Sequence, residues 1–332
     1  MSDEYTPPYA AWAARYGAQT EQVVMGYFGV QSDADDLPGL FGAVLQIESL
    51  LKLPHGPSHH DLAHYVDEAG FDTYIAIAYW DDPQVYQNWA ASPDVESWWA
   101  GPERLQSGYG YFREILKPRS ARFETIYSTP DKFEGVATMA EGISGEILEH
   151  GYWGGMRDRL PASQTDPLRA IGDLNVPSGP TEGRRIVLAG HENLALIRSG
   201  QDWSETAGEE RSHYLNEVAP ILGEGMVFLR DHGLAAGCYF NRYVRLVNRA
   251  GKPVEKTFGQ SLWRSLEHME RWAESHPTHV AIFGTFMRMV QGMEEELRLR
   301  LYHEVAVVAP TEQHYEYLNC HPSTGLLRCR AL

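Results

Sequence analysis

Tryptophan recurs at one spacing in two distant places. Trp80 and Trp89 stand nine residues apart and are followed by Ala-Ala-Ser; Trp263 and Trp272 stand nine apart and are followed by Ala-Glu-Ser. A repeat of this kind means that one supersecondary unit occurs twice, and it constrains the fold before any element is assigned. Phe123-Glu124 and Tyr315-Glu316 are expected to be a further matching pair. A chain of 332 residues is long enough for two such units, each with its own core.

Periodicity predicts the elements. Apolar runs at residues 23–30 and 74–80 read as buried strands, and 37–53 as a helix with Leu40, Val44, Ile47 and Leu51 on one stripe. Residues 54–65, rich in Gly, Pro and His, read as a loop, and 84–91 as a helix. In the second half, 186–189 and 194–199 read as two strands around a turn at His191-Glu192-Asn193. Helices are expected over 214–229, 262–274 and 278–293, and strands over 238–247 and 297–308. Strand–helix units repeated twice predict an α+β fold, with an antiparallel sheet and helices outside it.

Several function classes are disfavoured. Lys and Arg total 28 against 45 Asp and Glu, and the net charge of -17 argues against nucleic acid and anionic membrane surfaces as partners. No run of eighteen apolar residues and no secretory signal is read. Cys238, Cys320 and Cys329 are an odd number without CxxC spacing, which fits a reducing cytoplasm better than a disulfide framework or a zinc site.

Five residues stand out chemically. His279 follows Pro277, which suits the first turn of a helix capped by Ser275 or His276. At i+3, i+4 and i+7 it shares a face with Ile282, Phe283 and Phe286, where an imidazole is either a hydrogen-bonded core residue or an axial haem ligand. In LRLRLYHEVAVV, strand alternation puts His303 with Leu299, Leu301, Val305 and Val307 on the apolar face, and Arg300, Tyr302 and Glu304 on the other. A histidine so placed is a structural residue or a proton donor and acceptor. Ser199, at the end of the strand LALIRS and before Gly200, is a turn serine or a hydroxyl that approaches a ligand; no GxSxG elbow surrounds it. Arg159, with Arg157 as its rival, is a solvated arginine or an anion-orienting one, and Glu124 in RFETIY reads as an exposed strand carboxylate. His59, His60, Asp61 and His64 would present a zinc-like i, i+4 pair only on a helix, and the glutamate of HExxH is missing. The Gly-rich pieces GYWGG and GYGYF lack a nucleotide-binding pattern, and no CxxCH for covalent haem occurs.

Taken together, the stretches YTPPYAAW, VVMGYFGVQ, GPSHHDL, WDDPQVYQNW, GYGYFREIL, FETIY, ISGEILEHGYWG, RSGQDW, GCYFNRYVR, ERWAESHPTH, LYHEV and YEYLNCHPSTG resemble those of the haem-containing aldoxime dehydratases, from Tyr5 to about Leu327. The resemblance implies a duplicated ferredoxin-like α+β barrel in halves 1–150 and 151–332, a homodimer, and one noncovalent haem b that is ferrous when active. By motif it implies that His279 is the proximal iron ligand and His303 the distal catalytic residue. It also implies that Ser199 contacts the oxime and that Arg159 and Glu124 lie on the distal side. The segment 291–297 looks slightly longer than in that family. The reaction implied is loss of water from an aldoxime to give a nitrile, with alkyl or arylalkyl aldoximes suited to an apolar pocket. A haem peroxidase-like oxidoreductase and a non-catalytic haem-binding or sensor protein of the same fold are the alternatives.

Overall fold

The structure is a computed structural model and describes residues 5–293 and 297–331; residues 294–296 of the longer segment lie outside the described residues. Eleven strands form one antiparallel sheet. They are β1 (Val24–Ser32), β2 (His59–Val66), β3 (Asp72–Trp80), β4 (Gly110–Leu116), β5 (Phe123–Tyr127), β6 (Arg185–Leu188), β7 (Leu194–Asp202), β8 (Cys238–Val247), β9 (Pro253–Trp263), β10 (Arg300–Val308) and β11 (Gln313–Leu318). Their order is β5-β10-β7-β9-β8-β2-β3-β1-β4-β11-β6. Within it, the four strands β1–β4 and the four strands β7–β10 both run first-of-four beside fourth and third, with the second outermost. The two sets join where β8 pairs with β2.

The helices follow the same plan. In the first half α1 (Leu37–Leu51) links β1 to β2, and α2 (Pro83–Ala90) and α3 (Pro93–Ala100) link β3 to β4. In the second half α4 (Ala219–Ala236) precedes β8, and α5 (Leu266–Ser275) and α6 (Pro277–Gly292) link β9 to β10. Local chemistry sets their ends. Asp36 accepts from the Gly39 amide at 3.0 Å to start α1, whose stripe Leu40, Val44, Ile47 and Leu51 is buried as expected. Gly237, at φ 86, closes α4 in the left-handed region.

Strand alternation divides the core. Val24, Phe28, Val30, Ala76, Ala78 and Trp80 face the first-half helices, whereas Met25, Tyr27, Ile75, Ile77 and Tyr79 face an interior shared with Leu194, Leu196, Phe258 and Ala306 of the second half. Both faces of these strands are buried, which is why they read as continuous apolar runs. The shared interior also holds charge. Arg198 of β7 reaches Tyr79 at 2.7 Å, Tyr302 at 3.0 Å and Asp61 at 2.9 Å. Arg242 of β8 donates twice to Glu114 of β4, at 2.6 and 2.8 Å.

Four expectations are corrected. Residues 59–66 are strand β2, not loop; the Gly/Pro turn ends before them, and His59, His60 and His64 each meet a carboxylate of Asp61, Glu48 or Asp72. The helix expected from residue 262 begins at Leu266, because Trp263 ends β9 as Trp80 ends β3. The strands β6 and β7 do not form a hairpin: β6 joins β11 at the far edge and β7 lies between β9 and β10. Tyr302 and Glu304 are not on a solvated face, since the opposite side of β10 is the shared interior, where Tyr79 donates to Glu304 at 2.6 Å.

Removing one partner of a buried ion pair leaves a charge without compensation, at a cost of about 3–5 kcal/mol, whereas replacing both with apolar groups is often close to neutral. Arg242→Met is therefore expected to lower the urea midpoint strongly, and Arg242→Met with Glu114→Leu to recover most of the loss. Equal destabilisation by the single and double variants would contradict this.

Candidate active site

The helix-facing side of the second-half sheet opens into a cavity of about 510 Å³. Period-two geometry brings Ile197 and Ser199 of β7, Gly259 and Ser261 of β9, His303 of β10 and Ile126 of β5 to its floor. Leu222, Met226 and Leu229 of α4, and Met269 and Trp272 of α5, form apolar walls. A second compartment of about 420 Å³, lined by Phe286, Leu299 and Leu301, shares Tyr9, Ile126, Ser199 and His303 with the first. Both volumes fall in the range of ligand and cofactor sites, ~300–1,000 Å³. Gly259 keeps the floor low: a Cβ there would stand 2.7 Å from the Met226 sulfur.

His279 enters from α6. His276 caps this helix through its side chain, with Pro277 in the first turn, as the sequence predicts. The His279 Nδ1 lies 2.7 Å from the Ala273 carbonyl oxygen. A carbonyl only accepts, so Nδ1 carries the hydrogen and Nε2 keeps its lone pair. Burial lowers the proton affinity of the ring, with the Ala273 bond opposing it. Trp272 packs edge-on at 4.7 Å and Trp153 lies at 5.9 Å. Ile282 lines the same cavity, Phe283 packs on Trp153, and Phe286 lines the second compartment.

Three of the four other candidates, Arg159, Glu124 and His303, converge on one another. Arg159 ends a short helix, Gly155–Arg159, and grips Glu124 with Nε at 2.8 Å and Nη2 at 3.0 Å. The same Nη2 lies 2.9 Å from His303 Nε2, which is 3.1 Å from Glu124 Oε1. The Glu124 side chain is 1% exposed, which corrects the expectation of a surface carboxylate. Burial alone would raise its pKa, but the charges of Arg159 and His303 overcome this and lower it to about 2. The arrangement serves His303 in both charge states. Neutral at Nε2, it accepts from Arg159; protonated there, it donates to Glu124.

Ser199 is the direct cross-strand neighbour of His303 and also of Gly259. It lies within β7, which continues to Asp202, rather than at a strand end. Arg157, the rival of Arg159, points elsewhere, to Glu270 at 2.7 Å and the Pro167 carbonyl. The His59/His60/His64 group is on a strand, so no helical i, i+4 pair exists. Among the described residues no three His, Cys, Asp or Glu side chains form a metal-ligand group, and no helix is long and apolar enough to cross a membrane. Sequence reasoning missed Tyr9, which lines both compartments, and His150, which lines the larger one. The signal for His150 lay in HGYWGG, where Gly151 and Gly154 take positive φ on either side of two aromatics.

A carboxyl with a depressed folded pKa contributes stability that is present above its unfolded value and is lost as pH falls through its folded value. For Glu124 that window runs from 4.5 down to about 2. The stability advantage of wild type over Glu124→Gln, read from urea midpoints, is expected to shrink across this window. A difference independent of pH would show that the carboxylate is not held ionised by its partners.

A family profile described as haem-containing dehydratase matches residues 26–326. The aliphatic aldoxime dehydratase of Rhodococcus globerulus is 49% identical over 99% of this chain and 93% of its own length. The phenylacetaldoxime dehydratase of Bacillus sp. (strain OxB-1) is 33% identical over 98% of this chain and 93% of its own. The crystal structure of an aldoxime dehydratase in complex with butyraldoxime superposes with a TM-score of 0.95, at 48% identity over 99% of this chain and 91% of that one. A second aldoxime dehydratase crystal structure gives 0.94 at 49% identity, over 99% of this chain and 93% of that one. With a profile match across most of its length and relatives this similar end to end, the chain belongs to the haem-containing dehydratase family.

Proposed function

We propose that the chain is an aldoxime dehydratase, a lyase that removes water from an aldoxime to leave a nitrile, and that His279 would hold the iron of a haem b. The carrying observation is that two imidazoles line one cavity, one from a helix and one from the sheet: His279 with a free Nε2 lone pair, and His303 held by a desolvated Arg159–Glu124 pair. The residues fit a flat macrocycle. The iron ligand is oriented by a carbonyl on its other nitrogen, the walls are apolar, and Gly259 leaves the space that a Cβ would fill.

When bound, haem in its ferrous state supplies a coordination position for the oxime nitrogen and electron density toward the N–O bond. The chain supplies the rest. Ser199 donates its hydroxyl hydrogen to the oxime oxygen and fixes the direction of that bond. His303, protonated, gives a proton to the same oxygen as the N–O bond breaks, so that water departs rather than hydroxide. As Nε2 loses its proton, Arg159 replaces Glu124 as its hydrogen-bond partner. The neutral imidazole then takes the proton from the aldoxime carbon while the third C–N bond forms, and His303 ends as it began. No net electrons are consumed. The apolar second compartment beside Ser199 and His303 suits the alkyl or arylalkyl group of the substrate.

The same reading takes the two halves, 1–150 and 151–332, as ferredoxin-like units curled into a duplicated barrel. The matching strand orders and the shared interior support it. It also takes the enzyme as a cytoplasmic homodimer, in keeping with three buried free cysteines.

Two measurements test this. His279→Ala is expected to abolish the Soret band of haem-supplied protein, and a retained band with unchanged ligation removes His279 from the iron. Reduced, anaerobic wild type is expected to yield nitrile by gas chromatography. His303→Ala is expected to keep haem and lose nearly all turnover, and Ser199→Ala to lose roughly tenfold or more, in line with general acid–base and hydrogen-bond contributions. No nitrile from wild type, together with rapid oxidation of a dye by peroxide, would point to the peroxidase-like alternative.

A further inference from the structure

The dehydration chemistry leaves one buried imidazole of the cavity wall idle. His150 is 2% exposed, lines the cavity, and has no hydrogen-bond partner on either ring nitrogen. Its backbone is firmly held. The Tyr5 hydroxyl donates to the His150 carbonyl at 2.6 Å, and Arg159 Nη1 donates to the neighbouring Glu149 carbonyl. Gly151 follows with φ 75, and a Cβ there would strike Pro8 at 2.6 Å. The ring leans on Tyr9 at 5.1 Å. An anchored polar ring with both nitrogens unsatisfied carries a desolvation cost that a hydrogen-bonding ligand in the cavity would relieve.

The chemistry of that ligand follows from the surroundings. Burial first, and the Arg159 charge second, lower the proton affinity of His150; the Ile147 backbone, without hydrogen-bond geometry to either nitrogen, and the smaller effect of the Glu149 charge pull the other way. The ring is therefore a neutral N–H donor in the field of a guanidinium, and that field attracts a carboxylate. Its position agrees. The segment 149–153 runs from Glu149, bonded to Arg159 on the His303 side, to Trp153, packed on His279. It thus borders the edge, not the face, of anything flat lying between the two histidines. Two other buried donors line the cavity without partners, the indole nitrogens of Trp263 and Trp272. They pack against one another, tilted, at 5.7 Å on the α5 side, where Glu270 and Glu274 also line the wall and repel an anion.

We propose that His150 donates a ring N–H to a carboxylate side arm of the haem and so anchors the edge of the macrocycle. This rests on the haem reading above. It makes His150 a cofactor-binding residue with no part in the proton transfers.

The test compares ferric haem with its dimethyl ester, in which both side arms are blocked as neutral esters. Each is loaded into apo-protein, and its release into an excess of a haem-scavenging globin is followed by the Soret band. Wild type is expected to release the ester roughly tenfold faster than haem, the scale of a charge-assisted hydrogen bond. His150→Leu is expected to release both at the same fast rate, and His150→Asn, which keeps an N–H donor, to restore part of the discrimination. If His150→Leu holds haem as long as wild type and still discriminates, the proposal is wrong. If only the KM for aldoxime rises in that variant, His150 faces the substrate and the proposal is likewise wrong. A wild type that takes up no haem at all defeats the haem reading itself, a failure visible before any variant is made.

Discussion

A carboxylate removed from water does not stay ionised on its own, and the site depends on one that does. Glu124 keeps its charge because Arg159 meets it with two parallel N–H bonds, and His303 completes the group. That demand reaches back into the fold. Glu124 is delivered by β5, Arg159 by a short helix just before the middle of the chain, and His303 by β10 near its end. Only a sheet that sets β5 beside β10, with Val305 opposite Glu124 and Ile126 opposite His303, brings the three together. Loss of that register by one residue would turn Glu124 into the shared interior.

The two halves use one plan for different ends. In the first half, Trp99 of α3 drops onto the sheet beside Phe28, Trp80 and Trp89, and the space between sheet and helices is filled. In the second half, α6 is sixteen residues long against eight for α3 and carries His279 at its third position, where α3 carries Val95; below it the floor includes Gly259 and Ser199. The result is packing on one side of the repeat and a cavity on the other. The carboxylates diverge in the same way: Glu124 serves His303, while Glu316 of β11 is held by Arg113 and Arg185. The two Phe/Tyr-Glu pairs expected to match are out of step by two residues: Glu124 stands opposite Val305 of β10, whereas Glu316 stands opposite Arg113 of β4, the register equivalent of His303.

Local pattern made part of the site legible. His279 was readable from Pro277 and the i+3, i+4, i+7 apolar face, and His303 from strict alternation along β10, because both depend only on neighbouring residues. Glu124 was not. Its burial follows from partners remote in the chain, among them the His303 ring 179 residues away, which alternation within RFETIY does not carry; only the family resemblance pointed to the distal side. The choice between Arg159 and Arg157 was closed for the same reason, since it turns on Glu270 holding one and Glu124 the other. The histidines of β2 misled because composition was read where alternation should have been: each ring reaches a carboxylate, and the Gly/Pro turn lies before the strand. The extent of β9 was hidden by its polar first half, although Trp80 at the end of β3 already indicated where Trp263 would fall.

The exchange of edge strands has a consequence for how the chain reaches this state. The strand β5 follows the set β1–β4 in sequence but finds its partner in β10, and β11 follows the set β7–β10 but pairs with β4. On an emerging polypeptide, the first βαββαβ unit can collapse early around its tryptophans, yet one edge waits for β11 and β5 waits for β10. Closing such remote contacts is slow, because loop-closure entropy is lost before the contacts compensate for it. The distal group therefore comes into being late, after nearly all of the chain has been synthesised, because His303 stands only 29 residues from the last of 332.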